Sequence, residues 1–382
     1  MSQKQQTARA RRSRRYVVTV VAAAMALFMT QGIAWADAPT FATHVEYGVG
    51  NSPVAVRVAD FDEDGNQDVA AANFDDDTVS VALGNGDGTF DTKVDYGVGD
   101  IPDGIEVGDF DEDGNVDLVS ANTGDSTVSI LIGNGDGTFD PKVDYTTGTS
   151  PYKVAIADYD EDGNVDLAVS NIDDATVSIL DGNGDGTFDP KVDYGTGTWP
   201  YGVATSDFDE DGNLDLAVSN VGDATVSLLL GNGDGTFDAK VDYGTGLQPS
   251  WVVLADFDTD ANVDLAVANL EDSTVSVLLG NGDGTLDTKV DYATDVAPIS
   301  LAAADLDGDS ALDLITPNSA GNNVSVLPGN GDGTFGTRAD FGVDSTPFSV
   351  AVGDFDEDTR PDVVTCNYQP NTVSVLLNTT TP

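Results

Sequence analysis

One nine-residue segment recurs along this chain in a form suited to a hard cation. Its first copy is Asp60-Phe61-Asp62-Glu63-Asp64-Gly65-Asn66-Gln67-Asp68. Three carboxylates at alternate positions, a glycine and a further carboxylate can supply the roughly six to eight oxygens, at about 2.3–2.6 Å, that calcium takes. The expected donors are the side chains of Asp60, Asp62, Asp64 and Asp68 and the backbone carbonyl of Asn66, with Gly65 left-handed so that the loop folds back. An EF-hand loop starts the same way but needs a glutamate at its twelfth position. Here that position is Ala71, and the flanking residues read as strands. Magnesium suits the pattern less well, because it rarely takes an all-protein cage.

The segment is complete three more times: Asp109, Asp111, Asp113, Asn115 and Asp117; Asp158, Asp160, Asp162, Asn164 and Asp166; Asp207, Asp209, Asp211, Asn213 and Asp215. Three later copies keep the aspartates and lose the glycine to Ala261, Ser310 and Thr359. They are Asp256, Asp258, Asp260, Asn262 and Asp264; Asp305, Asp307, Asp309 and Asp313; Asp354, Asp356, Asp358 and Asp362. A side chain forced left-handed costs about 1–2 kcal/mol. Up to seven calcium ions are therefore expected, the last three bound more weakly. Four like charges in so short a loop repel one another without a cation, so chelation is expected to destabilise the fold.

The elements that carry these loops repeat every 49 residues, from Asp60 through Asp109 to Asp354. Prolines (Pro53 to Pro347) and asparagines (Asn73 to Asn367) keep the same step. Each unit holds four short strand-like runs; in the second unit these are Gly104 to Val107, Val116 to Ser120, Thr127 to Ile132 and Phe139 to Tyr145. Alternation and Val/Ile enrichment suit strands. Four antiparallel strands per unit make a propeller blade, whereas an open solenoid would need atypical capping repeats, and none is visible. A GNGDGTF turn at Gly84 to Phe90 recurs five more times and is missing from the seventh unit. Its continuation stands near the N-terminus, at Thr40-Phe41 and Val45 to Gly48. The expectation is an all-β, seven-bladed β-propeller closed by the N-terminal strand. Asn-Gly and Asp-Gly are hairpin signals, and Asp87 lacks partner carboxylates, so GNGDGTF reads as a turn and not a metal site.

Residues 1–36 read as an export signal, with a basic stretch, an apolar run from Tyr16 to Met29 and a small-residue cleavage site at Ala34-Trp35-Ala36. The propeller is expected over 37–382. Ser13 to Val18 resembles a twin-arginine motif, so the general secretory and twin-arginine routes both stay open. Six of the 15 basic residues go with the signal and none of the 67 acidic ones, leaving nine against 67, a net −58. Such a surface repels nucleic acid and anionic membrane. Six of those nine cations stand one per repeat, as Lys93, Lys142, Lys191, Lys240, Lys289 and Arg338. An exported monomer is expected: periplasmic, secreted or on the cell surface, with no stable membrane insertion after cleavage. Cys366 is the sole cysteine, so no disulfide framework holds the chain.

The pattern Pro-x-x-apolar followed by DFDxDGxxDL, as in Pro102 to Leu118, resembles the FG-GAP or VCBS repeat family, best known from the propellers of integrin α subunits. The likeness runs from Phe41 to Leu377. It implies a seven-bladed propeller with calcium between the first two strands of blades, on the face opposite the usual ligand surface. Similar repeats form sugar-binding fungal lectins.

Variation among the units marks where blades differ. It gathers around the repeat proline, at Asn51, Asp100, Tyr152, Lys153, Trp199, Tyr201, Gln248 and Trp251, and after the repeat asparagine, at Phe74, Ile172, Leu270 and Tyr368. Both connections emerge opposite the aspartate loops. Tyr152, Trp199, Tyr201, Trp251 and Tyr368 are the candidate ligand contacts, for stacking on a glycan or gripping an extracellular protein. They could equally cap the channel or pack between blades. Past residue 36 the chain has one histidine, His44, and no HExxH, GxSxG or nucleophilic cysteine context. Binding is therefore expected and not catalysis. A protein-interaction scaffold is the alternative, and a polysaccharide hydrolase or lyase stands behind both.

Overall fold

Strands form where β-branched residues run together or alternate with polar ones. The computed structural model describes residues 39–381, and among these it holds twenty-eight strands and no helix. The expected export segment, 1–36, lies outside the described residues. In the first repeat β2 (Pro53–Ala59), β3 (Asp68–Asn73), β4 (Thr78–Ala82) and β5 (Val94–Gly97) pair antiparallel in that order, and five further sheets repeat it. The last sheet is β26 (Pro347–Gly353), β27 (Asp362–Asn367), β28 (Thr372–Leu376) and then β1 (Val45–Gly48). β1 pairs with β28 from Val45 opposite Val375 to Gly48 opposite Thr372. The chain is a seven-bladed propeller, closed by its N-terminal strand as the sequence implied.

First strands of successive blades touch around the whole ring: β2, β6 (Pro102–Gly108), β10 (Pro151–Ala157), β14 (Pro200–Ser206), β18 (Pro249–Ala255), β22 (Ala302–Ala304), β26 and again β2. They surround a central channel. Second strands are buried along their full length, because each sheet is covered by a neighbour on both faces. Fourth strands form the rim, where Val94 is half exposed and Lys93 pairs with Asp95 at 2.5 Å.

The GNGDGTF hairpins lock each blade to the one before it. Gly137 donates its amide to the carbonyl of Phe61 at 3.0 Å, and its own carbonyl accepts the Tyr96 hydroxyl at 3.0 Å. Phe139 meets Phe61 and Tyr96 edge-on, with centroids 5.6 and 5.1 Å apart. The ring closes in the same way, through Gly88 amide to Phe355 carbonyl at 2.8 Å and Tyr47 hydroxyl to Gly88 carbonyl at 3.0 Å. Asp87 accepts both the amide and the hydroxyl of Thr89, which agrees with the turn reading.

Two local features were not legible beforehand. The residue before every repeat proline is left-handed, from Ser52 (φ 57°) to Thr346 (φ 56°), and a bulge follows the proline, with Pro53 opposite Asn73 and then Ala55 opposite Ala72. The sixth blade's first strand shrinks to Ala302–Ala304. Its neighbour carries Pro317, which has no amide hydrogen to give to the ladder.

Candidate functional site

Pairing of Ala59 with Asp68 brings the two ends of the first aspartate loop together. Carboxylate oxygens of Asp60, Asp62 and Asp68 then lie within 4.8 Å of one another. The same holds for Asp109, Asp111 and Asp117; Asp158, Asp160 and Asp166; Asp207, Asp209 and Asp215; and, in the fifth loop, Asp256, Asp258 and Asp260. Asp60 accepts the amides of Asp64 and Gly65 at 3.2 and 2.9 Å, which shapes the loop. Gly65 is left-handed (φ 96°), as expected. Asp64 is turned instead to Asn66, accepting its backbone amide at 2.8 Å and its side-chain amide at 2.7 Å.

The last carboxylate of the loop has a second duty that the pattern did not reveal. Asp68 is buried; its Oδ2 accepts the amide of Phe61 and its Oδ1 the amide of Gly84, both at 2.7 Å. It thus ties the loop to the opening of its own blade's GNGDGTF turn. Every blade repeats this, ending with Asp362, which accepts from Phe355 at 2.9 Å and from Asn378 at 2.6 Å. Burial pushes the Asp68 carboxyl up to about 6, against the pull of its two amides and with a smaller push from Asp62 and Asp60. Asp117, Asp166, Asp215, Asp264 and Asp362 also stand at about 6, and Asp313 at about 7. Burial raises Asp62 as well, and Asp64 adds to it. A bound cation reverses this pressure, because it favours the ionised form of each carboxylate.

This donor set fits calcium: oxygen only, three carboxylates in reach of one point, and a backbone already bent around them. Asp356 in the seventh loop adds a buried Oδ1 with no hydrogen-bond partner, an acceptor that a cation would satisfy. The strain expected in the last three loops is present, with Ala261 at φ 76°, Ser310 at 76° and Thr359 at 72°. A second left-handed residue, Glu63 (φ 56°) and its counterparts, was not foreseen. In the seventh loop Arg360 replaces the asparagine and engages the carboxylate of Asp358, while its Nε donates to Asn378 at 2.9 Å. That internal cation already offsets part of the negative charge of this loop.

The five candidate ligand contacts do not form one platform. Trp199 is 53% exposed in the turn before its proline, at φ 56°. Tyr152 is buried and stacks against Tyr201 at 4.3 Å. Tyr368 faces Phe348 at 5.9 Å, in a small apolar cluster with Val54, Phe74 and Ile101. Trp251 lines the central channel, in a cavity of about 270 Å³ shared with Arg57, Glu106, Lys153 and Gly202. Arg57 donates through Nε to Glu106 at 2.7 Å and lies 5.4 Å over the Trp251 ring; Lys153 Nζ lies 4.8 Å over the same ring. The sequence reading did not single out Arg57 or Glu106. Their signal was there: both share a repeat position with Ala155, Ala204, Val253, Ala302 and Ala351.

Among solved structures, a lectin from Agrocybe aegerita that recognises non-reducing terminal N-acetylglucosamine is similar over 89% of this chain and 96% of its own, with TM-score 0.57 and 20% identity. BBS1N, solved in complex with ARL6DN, matches 88% of this chain and 96% of its own, with TM-score 0.63 and 15% identity. A catalytically inactive virginiamycin B lyase from Staphylococcus aureus matches 88% of this chain and 99% of its own, with TM-score 0.60 and 10% identity. At such identities the likeness is one of fold. No curated protein matches the sequence. The sequence profile of the FG-GAP-like repeat matches six times, at residues 60–120, 109–169, 158–218, 207–267, 256–316 and 306–365. Each match spans one aspartate loop and the next, over most of the chain, which belongs to the FG-GAP-like repeat family.

Proposed function

We propose that this chain is an exported propeller, stabilised by calcium in its aspartate loops, that binds a glycan or a cell-surface protein and catalyses nothing. The observation that carries the calcium half is the convergence of Asp60, Asp62 and Asp68 within 4.8 Å, repeated from blade to blade. Support for the binding half comes from the opposite face, where Trp199 keeps an indole half exposed in a left-handed turn. A bulky residue held there is uncommon, and an exposed indole is a stacking surface for a sugar ring. The similar fold of the Agrocybe aegerita lectin fits this reading. The protein acts as a monomer and binds no nucleic acid, in keeping with its acidity.

A glycan array probed with and without chelator tests the proposal. Calcium-dependent binding, weakened by Trp199→Ala, is the expected result. A blank array together with a captured protein partner would favour a scaffold, a reading for which the similar fold of BBS1N in its complex with ARL6DN gives precedent. Turnover of a polysaccharide by the purified protein would overturn both.

A further inference from the structure

We propose that the turns before Pro200, Pro249 and Pro298 form a docking surface for a basic amphipathic segment of a protein, one that sets lysine or arginine around a row of apolar side chains. The proposal rests on the reading that the face opposite the aspartate loops binds a partner, and it takes the protein side of that reading.

Among the described residues, large apolar side chains left in water fall into two groups. Six are rim valines, from Val45 and Val94 to Val290, one on the fourth strand of each of six sheets. Apolar residues exposed singly in this way are ordinary. The other three, Trp199, Leu247 and Val296, are 53, 48 and 43% exposed and stand in the turns that enter the fourth, fifth and sixth blades. At the same two positions the remaining turns carry Asn51-Ser52, Asp100-Ile101, Thr149-Ser150 and Ser345-Thr346, of which only Ile101 is apolar, and it is buried. An exposed apolar side chain in three successive turns is thus a property of these blades and not of the repeat.

Backbone hydrogen bonds join the three turns into one belt. The carbonyl of Trp199 accepts the amide of Val221 at 3.0 Å, and three residues on, the carbonyl of Ala224 accepts that of Thr245 at 3.0 Å. Leu247 then accepts from Glu271 at 3.3 Å, Ser273 from Thr294 at 3.0 Å and Val296 from Ala320 at 3.4 Å. The turns are therefore held side by side across three successive blades. A surface fixed before contact loses little freedom on binding.

Carboxylates flank this row and define the partner. Asp223, Glu271 and Asp272 are exposed, and their donors are neutral: Asp223 accepts the Thr198 amide at 2.7 Å, Asp272 the Leu247 amide at 2.8 Å and Glu271 the Gln248 side-chain amide at 3.0 Å. These bonds shape the turns and leave three negative charges uncancelled. Asp295, beside Val296, is paired with Arg338 at 3.7 Å. Apolar patches rimmed by polar groups mark interaction sites, and tryptophan is a favoured anchor in them. An acidic rim around an apolar row is complementary to cations around an apolar stripe. An amphipathic helix presents such a stripe at positions i, i+3, i+4 and i+7.

The full chain, titrated into a labelled peptide of about 14 leucines and lysines at helical spacing in about 0.15 M salt, is expected to raise its fluorescence anisotropy saturably. The same peptide with glutamate for lysine should not bind, and oligolysine of equal charge should bind about tenfold or more weakly. Trp199→Ser with Leu247→Thr and Val296→Thr installs residue types that other turns carry. This variant should keep the melting temperature and bind the leucine-lysine peptide about tenfold or more weakly, whereas Val94→Thr with Val143→Thr and Val290→Thr, on the rim, should bind as the parent does. Glu271→Lys, one exposed substitution, should also weaken binding, and it decides the question if the triple turn variant melts lower. The proposal is overturned if the leucine-lysine peptide does not bind, if either control peptide matches it, if the turn variants bind as before, or if the rim variant loses as much. Glycan binding that needs Trp199, with no peptide binding, sinks this proposal and leaves the reading of the face intact; absence of both sinks the two together.

Discussion

The side-chain amide of Asn378 donates to the carbonyl of Leu306 at 2.8 Å, across 72 residues of sequence. In other blades the corresponding carbonyl accepts from a turn glycine of the next blade, as Phe61 does from Gly137. The seventh blade has no such turn. Asn378, at the position of Gly84, supplies the donor from its side chain and also gives its backbone amide to Asp362 at 2.6 Å.

Asn378→Leu should therefore open the last blade. It leaves the carbonyls of Leu306 and Pro361 without the amide that now serves both, at a cost of about 1–3 kcal/mol for unsatisfied buried groups. Calorimetry should show a clearly lower melting temperature; an unchanged one refutes the clasp.

The tyrosine bonds to neighbouring turns make a paired prediction. Tyr96→Phe removes the hydroxyl that reaches Gly137 and should cost about 0.5–1.5 kcal/mol. The sixth blade already has Phe341, packed edge-on against Phe41 at 4.8 Å and facing the blade that lacks the turn. Phe341→Tyr should gain nothing in urea unfolding, and a gain equal to the Tyr96 loss would contradict this account.

Aspartates within one loop should differ sharply. Asp117→Asn places an NH₂ group against the amide of Phe110 or Gly133, where two oxygens now accept at 2.7 Å. The cost should reach about 2–3 kcal/mol even in metal-stripped protein. Asp113 is exposed and bonds only locally to Asn115, so Asp113→Asn should cost less than about 1 kcal/mol there. Equal losses in chelator would count against the structural role of Asp117.

Metal-stripped protein should grow more stable on mild acidification. The folded state raises Asp68 and its counterparts from 3.8 to about 6. Below about pH 4 these carboxyls are protonated in both states; as pH rises through 6 the folded state is penalised for losing the proton, and stability falls and stays lower. The melting temperature without metal should be higher near pH 5 than near pH 7.5. Saturating calcium should reverse that order, since it favours ionised carboxylates. A metal-free melting temperature that rises across this window would exclude the assignment.

Glycine should improve the last three loops. Ala261→Gly, Ser310→Gly and Thr359→Gly relieve left-handed strain at φ 76°, 76° and 72°, worth about 1 kcal/mol each. Thr359→Gly should gain most, because a β-branched side chain is least tolerated there. Calcium titration monitored by calorimetry should show tighter binding in each variant, and no gain at any of the three would mean the strain is already absorbed elsewhere.

Sequence alone determined the period, the four strands per unit, the turns and the closure of the ring. Alternation, Asn-Gly and Asp-Gly turns and DxDxDG loops are short-range signals, and here each is repeated in step. Thr40-Phe41 and Val45 to Gly48 announced the clasp because they match a fourth strand that the last unit lacks. Only the tertiary structure decided which residues of different blades meet. Asp68 becomes a buried anchor because β3 sets it beside Gly84, and Arg57, Lys153 and Trp251 share a ring contact although they lie in the first, third and fifth blades. Closing a linear repeat into a circle turns positions that are equivalent along the chain into neighbours across a channel. No local pattern encodes that distance.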